Sequence, residues 1–271
     1  MTRPLPFRRV FSAIGFSLIA ALLVFRTPVS AQDARGSPPP ASAAIRPVDA
    51  KHGMVVAQEK RAAAIGAEIL ARGGNAVDAA VATGFAMAVT YPRAGNLGGG
   101  GFMVIHLADR DRNVAIDYRE TAPGATTRDI FLGADGKPEP AKSRDSALGI
   151  GVPGTVAGLT LALGQYGSGK FTLADLLKPA ITLARDGFKI GDDTAATLPQ
   201  WHRRLARWPS SVKIFSRPDG GSLREGDLLV QTDLAATLTA IAERGPGGFY
   251  EGPVAERLVA AIRAAGGIMT L

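Results

Sequence analysis

Few sequence patterns limit a backbone as strongly as consecutive glycines, and this chain has four of them in "NLGGGGFMVI", Asn96 to Ile105. Glycine loses more backbone entropy on folding than any other residue. A run of it therefore implies positive φ angles or a very close approach by another backbone or a ligand. Apolar residues flank the run on both sides, which disfavours a flexible surface loop. The neighbouring elements decide whether the loop holds phosphate.

The segment before the glycines predicts a helix. In "NAVDAAVATGFAMAVTYP", Asn75 is a good N-cap, Asp78 lies in the first turn where the helix dipole favours an acid, and Pro92 ends the pattern. Apolar residues recur at helical spacing, at Val77, Val81, Phe85 and Ala88. An earlier helix is predicted from about Glu59 to Arg72, after a short apolar segment, "GMVVAQ" at 53–58, that predicts a buried strand.

The segment after the glycines predicts a β-hairpin, with strands at Phe102–Leu107 and Val114–Tyr118 joined by a polar turn. A phosphate-binding loop has the opposite order, because it follows a strand and precedes the helix whose N–H groups hold the phosphate. The order found here therefore excludes that use. A second glycine-rich stretch, "GQYGSGKF" at 164–171, has Phe171 where a magnesium-binding hydroxyl should stand. It predicts a turn between two helices.

The second half of the chain is predicted to be mostly helical. Thr172 and Asp175 have the spacing of a capping box at the start of one of these helices. Residues 200–229 are less regular and are predicted to include surface loops. The predicted helices are Thr155–Leu163, Thr172–Arg185, Thr232–Arg244 and Pro253–Ala265.

The N-terminal residues predict export. A basic start and the apolar run Phe11–Phe25, too short for a comfortable membrane span, precede "VSA" at 29–31, so residues 1–31 are interpreted as a signal peptide cleaved after Ala31. The alternatives are twin-arginine export, suggested by "RRVF", and an uncleaved anchor. A Pro-, Ser- and Ala-rich linker at 32–50 then leads to one folded portion, 51–271. The expected location is periplasmic or extracellular.

Charge and composition exclude several functions. Removing the four arginines of the leader lowers the formal net charge from +7 to +3, and the remaining basic residues are interspersed with acids, which argues against a nucleic-acid partner. The chain has no cysteine and only three histidines, far apart in sequence, so no metal or other cofactor is expected. His52 and His106 lie at predicted strand positions, and His202 is expected at the surface.

Several segments together resemble the large subunit of the γ-glutamyltranspeptidases, also called glutathione hydrolases. They occur in order from about His52 to Leu271, and they are "HGMVVAQE", "GGNAVDAAVATGFAMAVTYPRAGNLGGGGFMVI", "AIDYRETAP", "GIGVPGTVAGL", "LARDGF", "GDLLVQTDLAATL" and "GGFYEG". The resemblance implies an α+β chain, the large-subunit part of a four-layer αββα sandwich of the N-terminal-nucleophile hydrolase type. It also implies a precursor that cuts itself before a threonine. That threonine then attacks γ-glutamyl compounds such as glutathione and passes the acyl group to water or an acceptor amine.

One substrate-binding residue is implied within this chain. The segment "DYRETAP" is similar to the family's Asp-aromatic-Arg-Glu motif, whose arginine binds the α-carboxylate of the γ-glutamyl group, so Arg119 takes that role by resemblance. A guanidinium suits the task because it donates two parallel hydrogen bonds to one carboxylate. Arg119 follows a predicted buried strand. Asp117 and Glu120 are expected to support it, without catalytic work of their own.

The family's nucleophile does not occur in this sequence. It belongs to a Thr-x-His motif, and the residues two positions before the three histidines are Ala50, Val104 and Gln200. The chain is therefore expected to be a fragment of a precursor, inactive alone and in need of a small subunit. Two alternatives remain: a cephalosporin acylase of the same superfamily that takes a glutaryl-type acyl group, and a secreted binding module without chemistry. A binding module of the solute-binding type would show alternating strands and helices.

Overall fold

The structure is a computed structural model, and it describes residues 47–271. The chain divides into Met1–Asp49 and a second unit, Ala50–Leu271. The predicted signal peptide, its cleavage site after Ala31 and most of the predicted linker lie outside the described residues. Within the described range, no helix is both long and apolar enough to cross a membrane.

Helices dominate the described residues, and the few strands pair as two antiparallel ribbons. The helices are α1 (Lys60–Ala71), α2 (Ala76–Thr90), α3 (Pro140–Arg144), α4 (Thr155–Tyr166), α5 (Leu173–Asp186), α6 (Asp192–Leu205), α7 (Pro209–Phe215), α8 (Thr232–Arg244), α9 (Gly247–Tyr250) and α10 (Gly252–Ala264). The strands are β1 (Phe102–Leu107), β2 (Arg112–Asp117), β3 (Phe188–Lys189) and β4 (Leu228–Leu229). This arrangement confirms the predicted α+β class.

Local capping determines the ends of the first two helices. The Glu59 carboxylate accepts hydrogen bonds from the first turn of α1, and Gly73, with a φ of +84°, lets the chain turn directly into the next helix. Asn75 and Asp78 form a capping box at the start of α2. Both predicted helices are confirmed within a residue or two.

Helix α2 is the centre of the core. Eleven of its fifteen residues are buried, because α1, α4 and α5 all pack against it. The fully buried carboxylate of Asp78 accepts hydrogen bonds from the backbone N–H groups of Asn75, at 2.8 Å, and Ser168, at 3.1 Å. These bonds offset part of the cost of burying the group, since a buried carboxylate is tolerated only when its oxygens are satisfied.

The hairpin follows α2 and the glycine loop, as predicted. Strand β1 pairs with β2 from Phe102 opposite Asp117 to Leu107 opposite Arg112, so β2 begins two residues earlier and ends one residue earlier than predicted. The prediction that β2 is a buried strand is wrong, because only Ile116 of its six residues is buried. One face of the hairpin packs on the core, and the other exposes Phe102 and Val104, 64% and 76% accessible.

The second half packs around α5, which contacts both α2 and α8. Apolar residues on two adjacent turns of α5, Leu176, Leu177 and Ala180, are fully buried. The stretch at 164–171 is a turn between α4 and α5, and Thr172 and Asp175 form the predicted capping box. Strand β3 pairs with β4, with Phe188 opposite Leu229, and joins the end of α5 to the segment before α8.

One local prediction is wrong and another is incomplete. Residues 53–58 are not a strand: within the described residues no strand lies beside them, and Met54 and Val56 are exposed. Apolar, β-branched residues favour an extended segment, but a β-strand also needs a neighbouring strand to which it can hydrogen-bond. Residues 200–229 include the predicted loops, between α7 and β4, but the end of α6 and all of α7 lie there too. Pro209 is the first residue of α7, where proline favours a helix start.

Candidate functional site

Arg119 lies two residues beyond β2, with its guanidinium available to a ligand. Its backbone N–H donates to Asp117 Oδ1 at 2.9 Å, and its Nε forms an ion pair with Glu120 Oε2 at 2.9 Å. The side chain is 66% exposed. Within the described residues, the two terminal nitrogens of Arg119 make no hydrogen bond. Asp117 and Glu120 thus orient the backbone and the inner nitrogen, and the outer edge of the guanidinium is left open.

The glycine loop packs directly against the backbone of this segment. Tyr118 N–H donates to Gly101 O at 3.0 Å, which extends the hairpin beyond its last strand pair. A Cβ at Gly100 would overlap the Tyr118 carbonyl oxygen and lie 2.8 Å from the Glu120 nitrogen. None of the four glycines has a positive φ. Of the two causes that the run implies, close approach therefore operates, at Gly100 by the Tyr118–Glu120 backbone and at Gly101 by the Tyr118 ring.

The start of α4 contacts both the glycine loop and the backbone of Tyr118 and Arg119. The carbonyl of Gly99 accepts hydrogen bonds from the N–H groups of Gly154, at 2.8 Å, and Thr155, at 3.0 Å. A Cβ at Gly154 would overlap the Tyr118 carbonyl oxygen. The backbone that carries Arg119 is therefore enclosed between glycines of two elements that are far apart in sequence.

The aromatic residue of the motif is the internal anchor of the site. The Tyr118 ring lies where a Cβ at Gly158 would be, and it comes within 3.0 Å of the position of a Cβ at Gly101. Burial raises the pKa of the Tyr118 hydroxyl above its usual value, so the phenol is neutral at physiological pH. The ring of Tyr118 therefore points into the core, and the guanidinium of Arg119 points towards solvent.

A surface cavity of about 510 Å³ adjoins Arg119. Arg119 and Glu120 form its charged part, and Phe131, Leu148 and Ile150 contribute an apolar wall. Gly98, Gly149 and Gly151 complete much of the remaining lining. Such a cavity can hold a small ligand that has a carboxylate at one end and apolar or amide groups elsewhere.

The three histidines lie apart from this cavity. His106 is exposed on β1 and contacts Asn113 Oδ1 at 3.0 Å. His52 lies in a bend and not in a strand, which corrects the prediction for it. His202 is half-buried on α6, 2.8 Å from Ser216 Oγ, so it lies at the surface with part of its ring covered. Residues 47–271 contain no group of three or more side chains placed to hold a metal ion.

Sequence reasoning missed the supporting residues of the site. Gly154 and Gly158 at the start of α4 are needed for close packing, and Tyr250 reaches that helix start from 93 residues away. The only available signal was the occurrence of "GVPGTVAGL" and "GGFYEG" among the matched segments. No spacing rule connects the two, because their contact depends on the tertiary fold.

Comparison with known proteins identifies the family. The sequence profile described as Gamma-glutamyltranspeptidase matches residues 62–271. The "Glutathione hydrolase proenzyme" of Escherichia coli (strain K12) is 46% identical over 224 residues, which are 83% of this chain and 38% of that relative. This chain thus spans well under half the length of that curated relative.

Solved structures agree in fold. The Helicobacter pylori γ-glutamyltranspeptidase matches with a TM-score of 0.80 and 45% identity, over 83% of this chain and 64% of that chain. Cephalosporin acylase from Bacillus halodurans matches with a TM-score of 0.70 and 28% identity, over 87% and 44% of the two chains. These likenesses confirm the predicted fold of N-terminal-nucleophile hydrolase type. The chain belongs to the γ-glutamyltranspeptidase family.

Proposed function

We propose that this chain is the large-subunit portion of an exported precursor that transfers and hydrolyses γ-glutamyl groups, with glutathione and other γ-glutamyl peptides as substrates. Arg119 binds the α-carboxylate of the γ-glutamyl group. The single observation that carries the proposal is the placement of Arg119, whose backbone is enclosed between glycines and whose guanidinium edge is open beside a cavity. The name "proenzyme" of its bacterial relative supports the idea of a precursor.

The geometry suits recognition of a carboxylate. Glu120 pairs with Nε of Arg119, which leaves the two terminal nitrogens to donate two parallel hydrogen bonds to one carboxylate. Lysine at this position would provide only a point charge. The negative charge of Glu120 also disfavours a second carboxylate at the inner side of the guanidinium, so the ligand is directed to the outer edge.

The chemistry of the proposed reaction is supplied by a threonine outside this sequence. Its hydroxyl attacks the γ-carbonyl carbon, the amide bond to the leaving amine breaks, and a γ-glutamyl ester forms on the enzyme. The threonine's own α-amine accepts the hydroxyl proton and returns a proton to the leaving amine. Water or an acceptor amine then takes the acyl group and restores the threonine. Arg119 contributes by fixing the end of the substrate opposite to the reacting bond.

The small subunit from the same precursor is the proposed partner. On the outward face of β1, Phe102 and Val104 are 64% and 76% exposed, and Val56 beside the first helix is 84% exposed. A two-stranded ribbon with an apolar face is marginal in water by itself and is stabilised when further strands or a second layer cover it. Strands of the small subunit would provide that cover and complete the sandwich.

Export and domain organisation are parts of the same proposal. Residues 1–31 serve as the signal peptide, removed near Ala31, and residues 32–50 link it to the family portion at 51–271. The basic start, the short apolar run and the small residues at 29–31 support this assignment. The mature protein then works in the periplasm or outside the cell.

A glutaryl-specific acylase is the second candidate, because the fold is also similar to that of a cephalosporin acylase. A glutaryl group keeps the carboxylate that Arg119 would bind and lacks the α-amino group of γ-glutamyl. Comparing turnover of glutaryl and γ-glutamyl p-nitroanilides by the full precursor separates the two. The binding-module alternative has less support, since the described residues contain antiparallel ribbons and no alternating parallel strands.

The test is carried out on the full precursor, assayed with γ-glutamyl-p-nitroanilide. Replacing Arg119 by Gln removes charge-assisted hydrogen bonds worth about 1.5–3 kcal/mol, so kcat/KM should fall about ten- to a hundredfold. Arg119→Lys should recover only part of the loss. Arg128→Gln, the same change at a side chain that is 95% exposed, is the matched control and should retain full activity.

Two outcomes would contradict the proposal. Absence of turnover by the wild-type precursor would refute the assigned reaction. Normal kcat/KM in Arg119→Gln would refute the assigned residue. The 271-residue chain alone, which has no Thr-x-His sequence, should release no nitroaniline, and reproducible turnover by it would also be contrary to expectation.

A further inference from the structure

One tyrosine hydroxyl joins two distant parts of the chain beside the Arg119 segment. The hydroxyl of Tyr250 donates to the carbonyl of Pro153 at 3.0 Å and accepts from the N–H of Ala157 at 3.2 Å. These partners lie 97 and 93 residues away in sequence. They are the residue before the N-cap of α4 and the third residue of α4.

Helix α4 has no capping side chain of its own. Its N-cap is Gly154, which cannot cap with a side chain, and a Cβ there would overlap the Tyr118 carbonyl oxygen. A helix start leaves N–H groups without intrahelical partners, and a side-chain oxygen at the N-cap normally accepts from one of them. The hydroxyl of Tyr250 takes this place, because it accepts from Ala157, the position that an N-cap side chain would serve.

The short helix α9, which carries Tyr250, packs on α8. Phe249, the neighbour of Tyr250, is buried, and the two rings meet edge to face with centroids 5.0 Å apart. A Cβ at Gly248 would overlap the carbonyl oxygen of Ala240 on α8, so the turn packs tightly on that helix. Burial raises the pKa of the Tyr250 hydroxyl, which keeps it protonated and able to donate at neutral pH.

The position of α4 matters for the substrate residue. Gly154 and Gly158, at the start of this helix, form the wall against which Tyr118 packs, and Tyr118 precedes Arg119 directly. The Gly99 carbonyl joins the same helix start to the glycine loop on the opposite side. A shift of α4 therefore moves the backbone that carries the guanidinium.

We propose that Tyr250 is a positioning residue for carboxylate recognition: its hydroxyl fixes the start of α4 and thereby the location of the Arg119 guanidinium. This inference rests on the proposed function of Arg119. Tyr250 does not touch the substrate. It sets how well the enzyme distinguishes substrates that have an α-carboxylate from those that lack one.

The experiment compares Tyr250→Phe with wild type in the full precursor. Two anilides are used: γ-glutamyl-p-nitroanilide, which has the α-carboxylate, and γ-aminobutyryl-p-nitroanilide, which keeps the amine and lacks the carboxylate. Loss of two neutral hydrogen bonds should lower kcat/KM for the first about three- to tenfold and leave kcat/KM for the second unchanged. Tyr166→Phe is the matched control, because Tyr166 lies on α4 itself and its hydroxyl makes no hydrogen bond within residues 47–271.

A double-mutant cycle with Arg119→Gln checks the route of the effect. If Tyr250 acts through Arg119, adding Tyr250→Phe to Arg119→Gln should reduce kcat/KM no further. A purely structural role would lower kcat/KM for both anilides by the same factor, and that result would overturn the proposal. Fully additive losses in the cycle would overturn it as well.

Hydrogen exchange gives a measurement that does not depend on activity. Backbone amides of residues 118–121 should exchange faster in Tyr250→Phe than in wild type, because the start of α4, which packs against them, is less firmly held. Unchanged exchange there would overturn the positioning role even if the enzyme is active. Faster exchange in a precursor whose wild type has no γ-glutamyl turnover would support the link from Tyr250 to Arg119 and refute the proposed function alone.

Discussion

Two glycines of the same helix should respond in opposite ways to the same substitution. Gly158 and Gly164 both lie within α4, and replacing either by alanine adds one methyl group. At Gly164 the new Cβ meets nothing within 4 Å. At Gly158 it overlaps the Cβ and Cγ atoms of Tyr118. The comparison therefore separates helix propensity from tertiary packing.

The magnitudes follow from these surroundings. Alanine in place of an exposed helical glycine stabilises by about 0.5–1 kcal/mol, so Gly164→Ala should raise the free energy of unfolding by that amount. At Gly158 the same gain is opposed by overpacking, which costs about 1–3 kcal/mol. Tyr118 cannot withdraw easily, because its backbone pairs with Gly101. Gly158→Ala should therefore be less stable than Gly164→Ala by about 1–3 kcal/mol.

Urea unfolding followed by circular dichroism measures the difference, with thermal melting as a second measurement. A difference of 1–3 kcal/mol corresponds to about 2–12 °C in Tm for a domain of this size. In the full precursor, Gly158→Ala should also lower kcat/KM for γ-glutamyl-p-nitroanilide, since Tyr118 and Arg119 move together. If both variants stabilised the protein equally, the reasoning that Tyr118 occupies the space above Gly158 would be refuted.

Two further predictions concern buried and exposed polar groups. Gln231→Leu removes the 2.9 Å hydrogen bond from the buried Gln231 amide to the Val89 carbonyl and should lower the free energy of unfolding by about 1–3 kcal/mol, measured by urea unfolding. Hydrogen bonds from the Thr172 hydroxyl and N–H hold the pKa of Asp175 below its ordinary value, so this carboxylate stabilises the fold above about pH 4, and that contribution is lost as pH falls through the lowered pKa. The urea-unfolding midpoints at pH 7 and pH 3 should therefore differ less in Asp175→Asn than in wild type.

Each of these predictions has an outcome that would contradict it. Wild-type stability in Gln231→Leu would show that the Val89 carbonyl finds another donor or water. For Asp175, an unchanged difference between the two midpoints would mean that the capping hydrogen bonds do not favour the charged carboxylate in the folded state. Asp233→Asn is a suitable control for the second case, because Asp233 lies in the first turn of α8 without a capping box.

Local rules predicted the elements whose ends are determined by nearby residues. Asn75 with Asp78 and Thr172 with Asp175 each satisfy a helix start within four residues, so the pattern alone was sufficient. The same reasoning failed at residues 53–58, because strand formation depends on a neighbour that composition does not specify. It also did not identify α7, which lies in a segment that was predicted only to be less regular and to include surface loops.

The candidate site shows the same division between local and distant information. Arg119 was identified from a motif of adjacent residues and stays a prediction, with Asp117 and Glu120 placed as expected around it. Tyr250 and the glycines of α4 could not be identified in this way. Their importance depends on contacts across about a hundred residues, and glycine spacing does not indicate which side chain will occupy the space.

The amino-acid sequence by itself determined the boundaries of the helices with clear start signals, the hairpin, the exclusion of a phosphate loop and the family, because each depends on the order and spacing of neighbouring residues. Only the tertiary structure decided why the glycines are there. The φ angles of all four are ordinary, and Gly100 and Gly101 let the segment at Tyr118 lie close against the loop. That close approach is a property of distant segments in contact, and steric exclusion between them acts only once the chain is folded.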